Sequence, residues 1–351
     1  MFIVTQFIAE DGGGMQVSNL LIGSFLKEKY KLPIVYIGNN NKSKSHCDIY
    51  LNQFSSVILT QIYFFCLLIY SFFFSKVIIS LDDGILRCAG LLPFTCKNII
   101  VINSGSLAVR KSKTLLGKIS IFLSKISTKR LKANLVSQSI YDQLRYLKLS
   151  PSKSFILGRP CSKNIFYKKE IKLKTPIKFI TYGRLDYDKN IINLLKAFIN
   201  IDKFESITLD IFGNGPLLKK VISLSNSSKN INYLGEINHF VLMKKLEEYD
   251  YFICVSNNKN ETFGRSWIKA GSKGLPFIGS KVGNLSYLIK DQINGYYSGL
   301  TVSEICKTLH KVIKNHFQEY YTLSKNSSET AEEYTYENIF KKLEKYLSEI
   351  L

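Results

Sequence analysis

Three stretches in the second half of the chain put cations, a carboxylate and glycines at the ends of apolar runs. The first is Tyr182-Gly183-Arg184-Leu185-Asp186-Tyr187-Asp188-Lys189-Asn190. A strand delivers Gly183, a turn follows, and Arg184 and Lys189 bracket the start of a helix. Arg offers a planar fork of donors, Lys a point charge, and the helix N-terminus a partial positive field. Together they suit a diphosphate whose negative charge grows when a bond to it breaks. The same residues also read as a helix capped by Asp186 or Asp188 with two exposed cations. The second stretch, Phe212-Gly213-Asn214-Gly215-Pro216, ends a strand in a tight glycine turn, with Pro216 suited to a first helical position. The third, Glu261-Thr262-Phe263-Gly264-Arg265-Ser266-Trp267-Ile268-Lys269-Ala270, sets a carboxylate before a glycine-loosened helix start. A carboxylate and backbone amides at such a point can share the hydroxyls of a sugar.

In the first half, Asp82-Asp83-Gly84 follows an apolar run and would carry its carboxylates into a ligand cleft, as an acceptor contact or equally as a helix N-cap. A glycine run, Gly12-Gly13-Gly14, follows the opening strand. The four histidines, His46, His239, His310 and His316, have no metal-ligand spacing and read as structural or surface residues. No metal or other cofactor is implied, since Arg184 and Lys189 already answer the diphosphate charge.

The elements that must hold these residues alternate between strand and helix. Strands are expected at 2–7, 33–37, 76–81, 98–103 and 134–137, with a helix over 16–30. After a looser Pro- and Lys-rich stretch over 152–175, the alternation restarts. Strands are expected at 177–182, 208–212, 232–234, 251–255 and 276–279, and helices at 191–200, 216–225, 239–249 and 265–273. An amphipathic helix over 336–350 closes the pattern. This is α/β patterning in two doubly wound, Rossmann-like halves, with ligands at strand C-terminal ends. The expected domains are 1–168 and 169–335.

The length of 351 residues suits two domains, and 46% apolar with 21% charged residues excludes wholesale disorder. Seven scattered cysteines without a Cys-x-x-Cys pair suit reduced thiols, and the start lacks the basic n-region of a signal peptide. Charge is uneven. Residues 1–170 carry 23 Lys+Arg against 8 Asp+Glu, whereas residues 171–351 carry 25 against 19. The densest stretch, Arg110 to Lys148, has ten basic residues and the single acid Asp142. Such a field attracts polyanions, and an anionic lipid surface is the reading favoured here. Nucleic acid is ranked last, for want of a helix-turn-helix, a zinc signature or an exposed-aromatic RNA motif. Val57–Phe74 is uncharged and near the lower length limit for a bilayer span; a core-facing or membrane-lying helix explains it better.

In order and spacing these motifs resemble glycosyltransferase family 4, retaining enzymes of GT-B architecture. The likeness is strongest from Phe179 to Gly295, including Ile289-Lys290-Asp291-Gln292-Ile293-Asn294-Gly295, and weaker at Gly13-Gly14 and Ser137 to Gly158. The resemblance implies two Rossmann-like domains facing a central cleft, the first for acceptor and the second for nucleotide sugar, with the C-terminal helix packing back on the first. By that resemblance Arg184 and Lys189 bind the donor diphosphate and Glu261 touches the donor sugar. Amides near Phe263 and Gly264 assist, Gly183 and Gly213 belong to the same site, and Gly13 and Gly14 let the first loop approach the phosphate. Two positions depart from the family. Its second glutamate, eight positions after the first, is Lys269 here, which cannot accept a ribose hydroxyl's hydrogen bond and is expected to meet phosphate or a neighbouring carboxylate. Its first-domain histidine is absent from Val101-Ile102-Asn103-Ser104-Gly105-Ser106, leaving Asn103 or Ser104 to supply a hydrogen bond.

The implied activity is transfer of a sugar from a nucleotide-diphosphate donor to a glycan or lipid-diphosphate-linked acceptor. The setting is bacterial cell-surface polysaccharide assembly (lipopolysaccharide, O-antigen or capsule), at the cytoplasmic face of the membrane. The alternative is a catalytically impaired sugar-nucleotide-binding or scaffold protein of the same fold.

Overall fold

The computed structural model describes residues 1–6, 14–38, 45–52, 57–81, 85–89, 99–102, 115–130, 135–140, 155–161, 163–164, 175–201, 207–258, 261 and 263–350. It forms two units, Met1–Pro160 with Ile339–Leu351, and Cys161–Asn338.

The first unit runs β1 (Phe2–Thr5), α1 (Gly14–Tyr30), β2 (Ile34–Gly38), β3 (Ile49–Asn52), α2 (Val57–Phe73), β4 (Ile78–Ser80), α3 (Leu86–Ala89), β5 (Ile99–Ile102), α4 (Leu115–Arg130), β6 (Leu135–Ser137) and β7 (Phe155–Ile156). Its strands pair in parallel in the order β3-β2-β1-β4-β5-β6-β7. Continuous apolar runs such as Phe2–Val4 and Ile99–Ile102 are buried, as strands covered on both faces must be.

The second unit runs β8 (Ile177–Tyr182), α5 (Ile191–Ile201), β9 (Ile207–Phe212), α6 (Leu218–Ser225), β10 (Ile231–Tyr233), α7 (His239–Lys245), β11 (Tyr251–Cys254), α8 (Arg265–Gly271), β12 (Phe277–Ser280), α9 (Leu285–Leu288), β13 (Gly295–Ser298), α10 (Val302–Glu332) and the start of α11 (Tyr336–Ile350). The parallel order is β10-β9-β8-β11-β12-β13. Phe179 stacks on Tyr251 at 5.3 Å, and Tyr320 of α10 meets Tyr251 edge-on at the same distance. Rings this buried contribute about 1.5–3 kcal/mol each.

From Ile339 onward α11 belongs to the first unit. Phe340 stacks on Phe25 at 4.3 Å, Tyr346 stacks on Phe155 at 4.6 Å, and Glu344 lies 2.9 Å from Lys29. Among the described residues no helix is long and apolar enough to cross a membrane. The 57–74 run folds as α2, burying Phe64, Leu68 and Ser71.

Pro216 does not open a helix, because α6 begins two residues later at Leu218. The helix expected over 239–249 is α-helical only to Lys245 and tightens to a 3-10 turn over Leu246–Glu248. The Thr301–Glu304 capping box opens α10, an element the hydrophobic periodicity did not announce.

Candidate functional site

In a doubly wound parallel sheet a crevice opens beyond the strand C-terminal ends where the strand order reverses. In the second unit that point lies between β8 and β11, which end at Tyr182 and Cys254. The glycine turns there are set by backbone proximity. Gly213 has φ +134°, and a Cβ on it would fall 1.9 Å from the Gly183 carbonyl oxygen. Gly183 has φ +132°, yet a Cβ there would meet nothing within 4 Å. One glycine is demanded by its neighbour and the other faces open space. Hydrogen bonds from the Gly183 amide to the Phe212 carbonyl (3.0 Å), from the Leu185 amide to the Asn214 carbonyl (2.9 Å) and from the Leu217 amide to the Leu185 carbonyl (3.0 Å) lace the two turns together.

Beyond Gly183 the chain enters a 3-10 turn, Tyr187–Lys189, capped by Asp186, whose carboxylate accepts from the Lys189 amide at 3.1 Å. Asp186 also accepts from Arg184 Nε at 3.0 Å, and the Arg184 side chain remains 68% exposed. Lys189 is different. Its ammonium donates to Glu261 Oε2 at 2.8 Å, only 29% of its side chain is exposed, and it lies 5.8 Å from the centre of the Trp267 ring. Burial works against its charge, but Cys254 and Glu261 beside it outweigh burial, and its pKa stands above the ordinary value. Burial pushes the Cys254 thiol up to about 11, so at neutral pH the thiol carries no charge and Glu261 is the true counter-ion. Gly183, Arg184, Lys189 and Cys254 line one hollow.

Glu261 is held through its backbone: its carbonyl accepts from the Asn284 amide at 2.7 Å. The Asn284 side chain donates in turn to the Phe263 carbonyl at 2.8 Å. Phe263 is buried against Tyr334, and Gly264, at φ +89°, turns the chain into α8. Tyr182 ties β8 to this helix through a 2.6 Å bond to the Ser266 carbonyl.

Lys269 meets an imidazole. Its Nζ lies 3.2 Å from His239 Nδ1. Among the described residues no carboxylate is in ion-pair range of it, and its side-chain partner is that imidazole. Burial first, and then Arg265, pull its pKa down to about 8; burial, Lys269 and Arg265 pull His239 down to about 4. At neutral pH the ammonium donates to a neutral imidazole.

The structure thus gathers Gly183, Arg184, Lys189, Gly213 and Glu261 around one strand-end turn, with Phe263 and Gly264 on the adjoining loop. Gly14 opens α1 in the first unit. Gly13, Asp82, Asp83 and Asn103 lie outside the described residues, as do residues 110–114, 131–134 and 141–148 of the basic stretch from Arg110 to Lys148. Cys254 and Trp267 escaped sequence reasoning, although the position of Cys254 at the end of a central parallel strand was a signal available in the sequence. The described residues contain no group of three or more His, Cys, Asp or Glu placed to hold a metal ion.

Residues 162–333 match the glycosyl transferases group 1 family. The matched segment covers nearly all of the second unit. The UDP-N-acetylglucosamine–peptide N-acetylglucosaminyltransferase GtfA subunit of Streptococcus agalactiae is 29% identical over 164 residues, 46% of this chain and 31% of that protein. The chain spans less than half the length of the curated relatives it matches. Among solved structures, the lipopolysaccharide outer core galactosyltransferase WaaB in its apo form has a TM-score of 0.76 at 17% identity, with all of both chains covered. Anabaena HepE in complex with UDP has a TM-score of 0.75 at 13% identity, covering 99% of this chain and all of its own. At those identities the likeness is one of fold. The fold is that of the GT-B glycosyltransferases.

Proposed function

We propose that this protein is a retaining glycosyltransferase that moves a sugar from a nucleotide-diphosphate donor to a glycan or lipid-linked acceptor in cell-surface polysaccharide assembly, working at an anionic membrane surface. The observation that carries the reading is the Lys189–Glu261 ion pair beside the exposed Arg184, at the reversal point of a sheet within a glycosyltransferase group 1 domain. A fold shared with HepE in its UDP complex supports a uridine nucleotide, and one shared with WaaB supports a surface-polysaccharide acceptor.

In the proposed reaction the bond between the sugar's anomeric carbon and the diphosphate oxygen breaks, and that oxygen keeps the electron pair. Lys189 and Arg184 take up the growing negative charge, as electrostatic stabilisation requires. The acceptor oxygen forms the new bond on the face the diphosphate leaves, and the acceptor proton passes to the departing phosphate oxygen. Glu261 has two tasks in this scheme. It orients the Lys189 ammonium, and its free acceptor capacity takes a donor-sugar hydroxyl. Gly183, lacking a Cβ on its open side, lets the diphosphate approach the backbone.

The test is to mix the protein with UDP-, GDP- and CMP-sugars and follow hydrolysis and anomeric configuration by proton NMR. Release of nucleoside diphosphate from a UDP- or GDP-sugar, with the α or β configuration of the donor kept, is expected; a CMP-sugar, with its single phosphate, should not be turned over. Inversion would overturn the retaining assignment, and no binding or turnover of any sugar nucleotide would overturn the reading itself.

A further inference from the structure

Two helices of the first unit turn large apolar side chains outward. The buried line of α2 is Phe64, Leu68 and Ser71; its other side leaves Ile62, Phe65 and Phe73 in solvent, Phe73 at 74% exposure. In α4 the inward residues are Ser124 and Ser127, the latter bonded to the Leu86 carbonyl of α3. The outward residues of α4 are Leu115, Lys118, Ile119, Phe122 and Lys125, all exposed, Leu115 at 74% and Phe122 at 62%. Their spacing, i, i+3, i+4, i+7 and i+10, draws one stripe along the helix. α3 packs against both α2 and α4, so the two helices cover the same side of the sheet.

Charge separates this surface from an ordinary greasy patch. Neither helix contains an Asp or Glu, while α4 contains Lys118, Lys125, Lys129 and Arg130. The sequence just before α4 adds Arg110, Lys111 and Lys113. A two-fold pairing of this face with a second copy would set lysine stripe against lysine stripe with no carboxylate between them. A bilayer with anionic headgroups meets both requirements at once. Aromatic and branched side chains enter the headgroup–acyl boundary, and interleaved lysines reach the lipid phosphates and carboxylates.

We propose that the α2–α4 face docks the first unit onto an anionic lipid bilayer, with Phe73 and Phe122 as inserted anchors and Lys118 and Lys125 as charge partners. The proposal deepens the membrane part of the functional reading by assigning it a surface, and that surface is remote in sequence from the sugar-nucleotide site.

The experiment is co-sedimentation with vesicles of phosphatidylcholine alone and of phosphatidylcholine with phosphatidylserine, across a salt series. Binding confined to the anionic vesicles and weakened by salt is expected. Lys118→Glu with Lys125→Glu should weaken it at least about tenfold, each lysine near such a surface being a factor of roughly five. Phe73→Ser with Phe122→Ser should remove the part that survives high salt. UDP affinity by calorimetry serves as the control that each variant is folded. Should a variant fail to fold, a Trp introduced as Phe122→Trp in the otherwise unchanged chain reads insertion directly, through quenching by brominated lipid. Equal binding to neutral and anionic vesicles, or a Phe122→Trp signal blind to the quencher, would overturn the proposal. So would a dimer in sedimentation velocity that Phe122→Ser dissolves. Vesicle binding by a protein that neither binds nor cleaves sugar nucleotides would keep this surface and sink the transferase reading; the converse result would do the reverse.

Discussion

Lys189 Nζ and Glu261 Oε2 lie 2.8 Å apart, which joins the turn after β8 to the loop after β11 across the point where the strand order reverses. The pair is more than half buried on both sides, so it belongs to the fold as well as to the site.

Removing one partner should therefore hurt twice. Arg184→Ala, at an exposed position, should lower turnover by about 10²-fold and leave thermal stability nearly unchanged. Lys189→Met should lower turnover by a similar factor and also cost about 1–3 kcal/mol, since Glu261 is left without its counter-charge. Lys189, at 29% exposure, thus departs from the sequence reading with two exposed cations, whereas Arg184 fits it. The double variant Lys189→Met/Glu261→Gln should regain much of that stability and none of the activity. Urea denaturation and initial rates on all four proteins make the check. Full turnover in both single variants would place the diphosphate elsewhere.

The two glycines at the strand ends should respond differently. Gly213→Ala drives a Cβ into the Gly183 carbonyl and should cost about 2–4 kcal/mol. Gly183→Ala meets no atom but is strained at its φ, so about 1–2 kcal/mol is expected, with UDP affinity falling at least tenfold as the new methyl enters the approach path. Chemical denaturation gives the first quantity and calorimetry the second. Equal stability losses would show that the predicted asymmetry is absent.

Acid should weaken the protein partly through His239. With its pKa held at about 4 rather than 6.5, the native state binds fewer protons than the unfolded chain between those values. Stability then rises with pH across that window, and the contribution disappears as pH falls to about 4. Lys269 acts in the same direction between about 8 and 10.5. In Lys269→Met the His239 midpoint should climb from about 4 toward its ordinary value without reaching it, because burial is the larger cause. A proton NMR titration of the His239 ring follows this; an unmoved midpoint would mean that the ammonium does not act on the ring.

Lys269→Glu should fail to tighten UDP binding. A carboxylate at that position faces His239 and the nearby Arg265, which would claim it before a ribose hydroxyl could. Tighter binding in calorimetry would show instead that this chain has merely lost a ribose contact.

The legible parts of this fold were those in which one physical signal dominates. Ile177–Tyr182 is an apolar run bounded by Pro176 and Gly183, and its bounds as a strand match the expectation to the residue. Tyr336–Ile350, strongly amphipathic, was equally plain. The 31-residue α10 was not, for a reason visible in its buried side. From Ile305 to Leu323 that side is apolar or aromatic apart from His316, but it continues as Ser324, Ser327 and Ser328. The Ser324 and Ser327 hydroxyls bond to the Gly274 and Leu275 carbonyls at 2.6 Å each. Close approach to a loop demands small polar residues, and a hydrophobic pattern cannot announce them. The site followed the same rule. Arg184, Lys189 and Glu261 stood out through the order and spacing of their motifs, and Lys189 and Glu261 do meet in the structure. The imidazole partner of Lys269 comes from thirty positions away and has no local signal.

The return of residues 339–351 to the first unit gives the chain a timetable. During synthesis the first unit emerges as far as Pro160 with its α11 surface uncovered. Phe25, Lys29 and Phe155 then wait while the whole of the second unit is made, roughly 10–40 s at ordinary elongation rates. The second unit, a continuous segment, is free to fold during that interval. Completion of the first unit thus has to follow synthesis of the second, and a chain cut off just after Asn338 would carry a second unit with all its residues and a first unit without its closing helix.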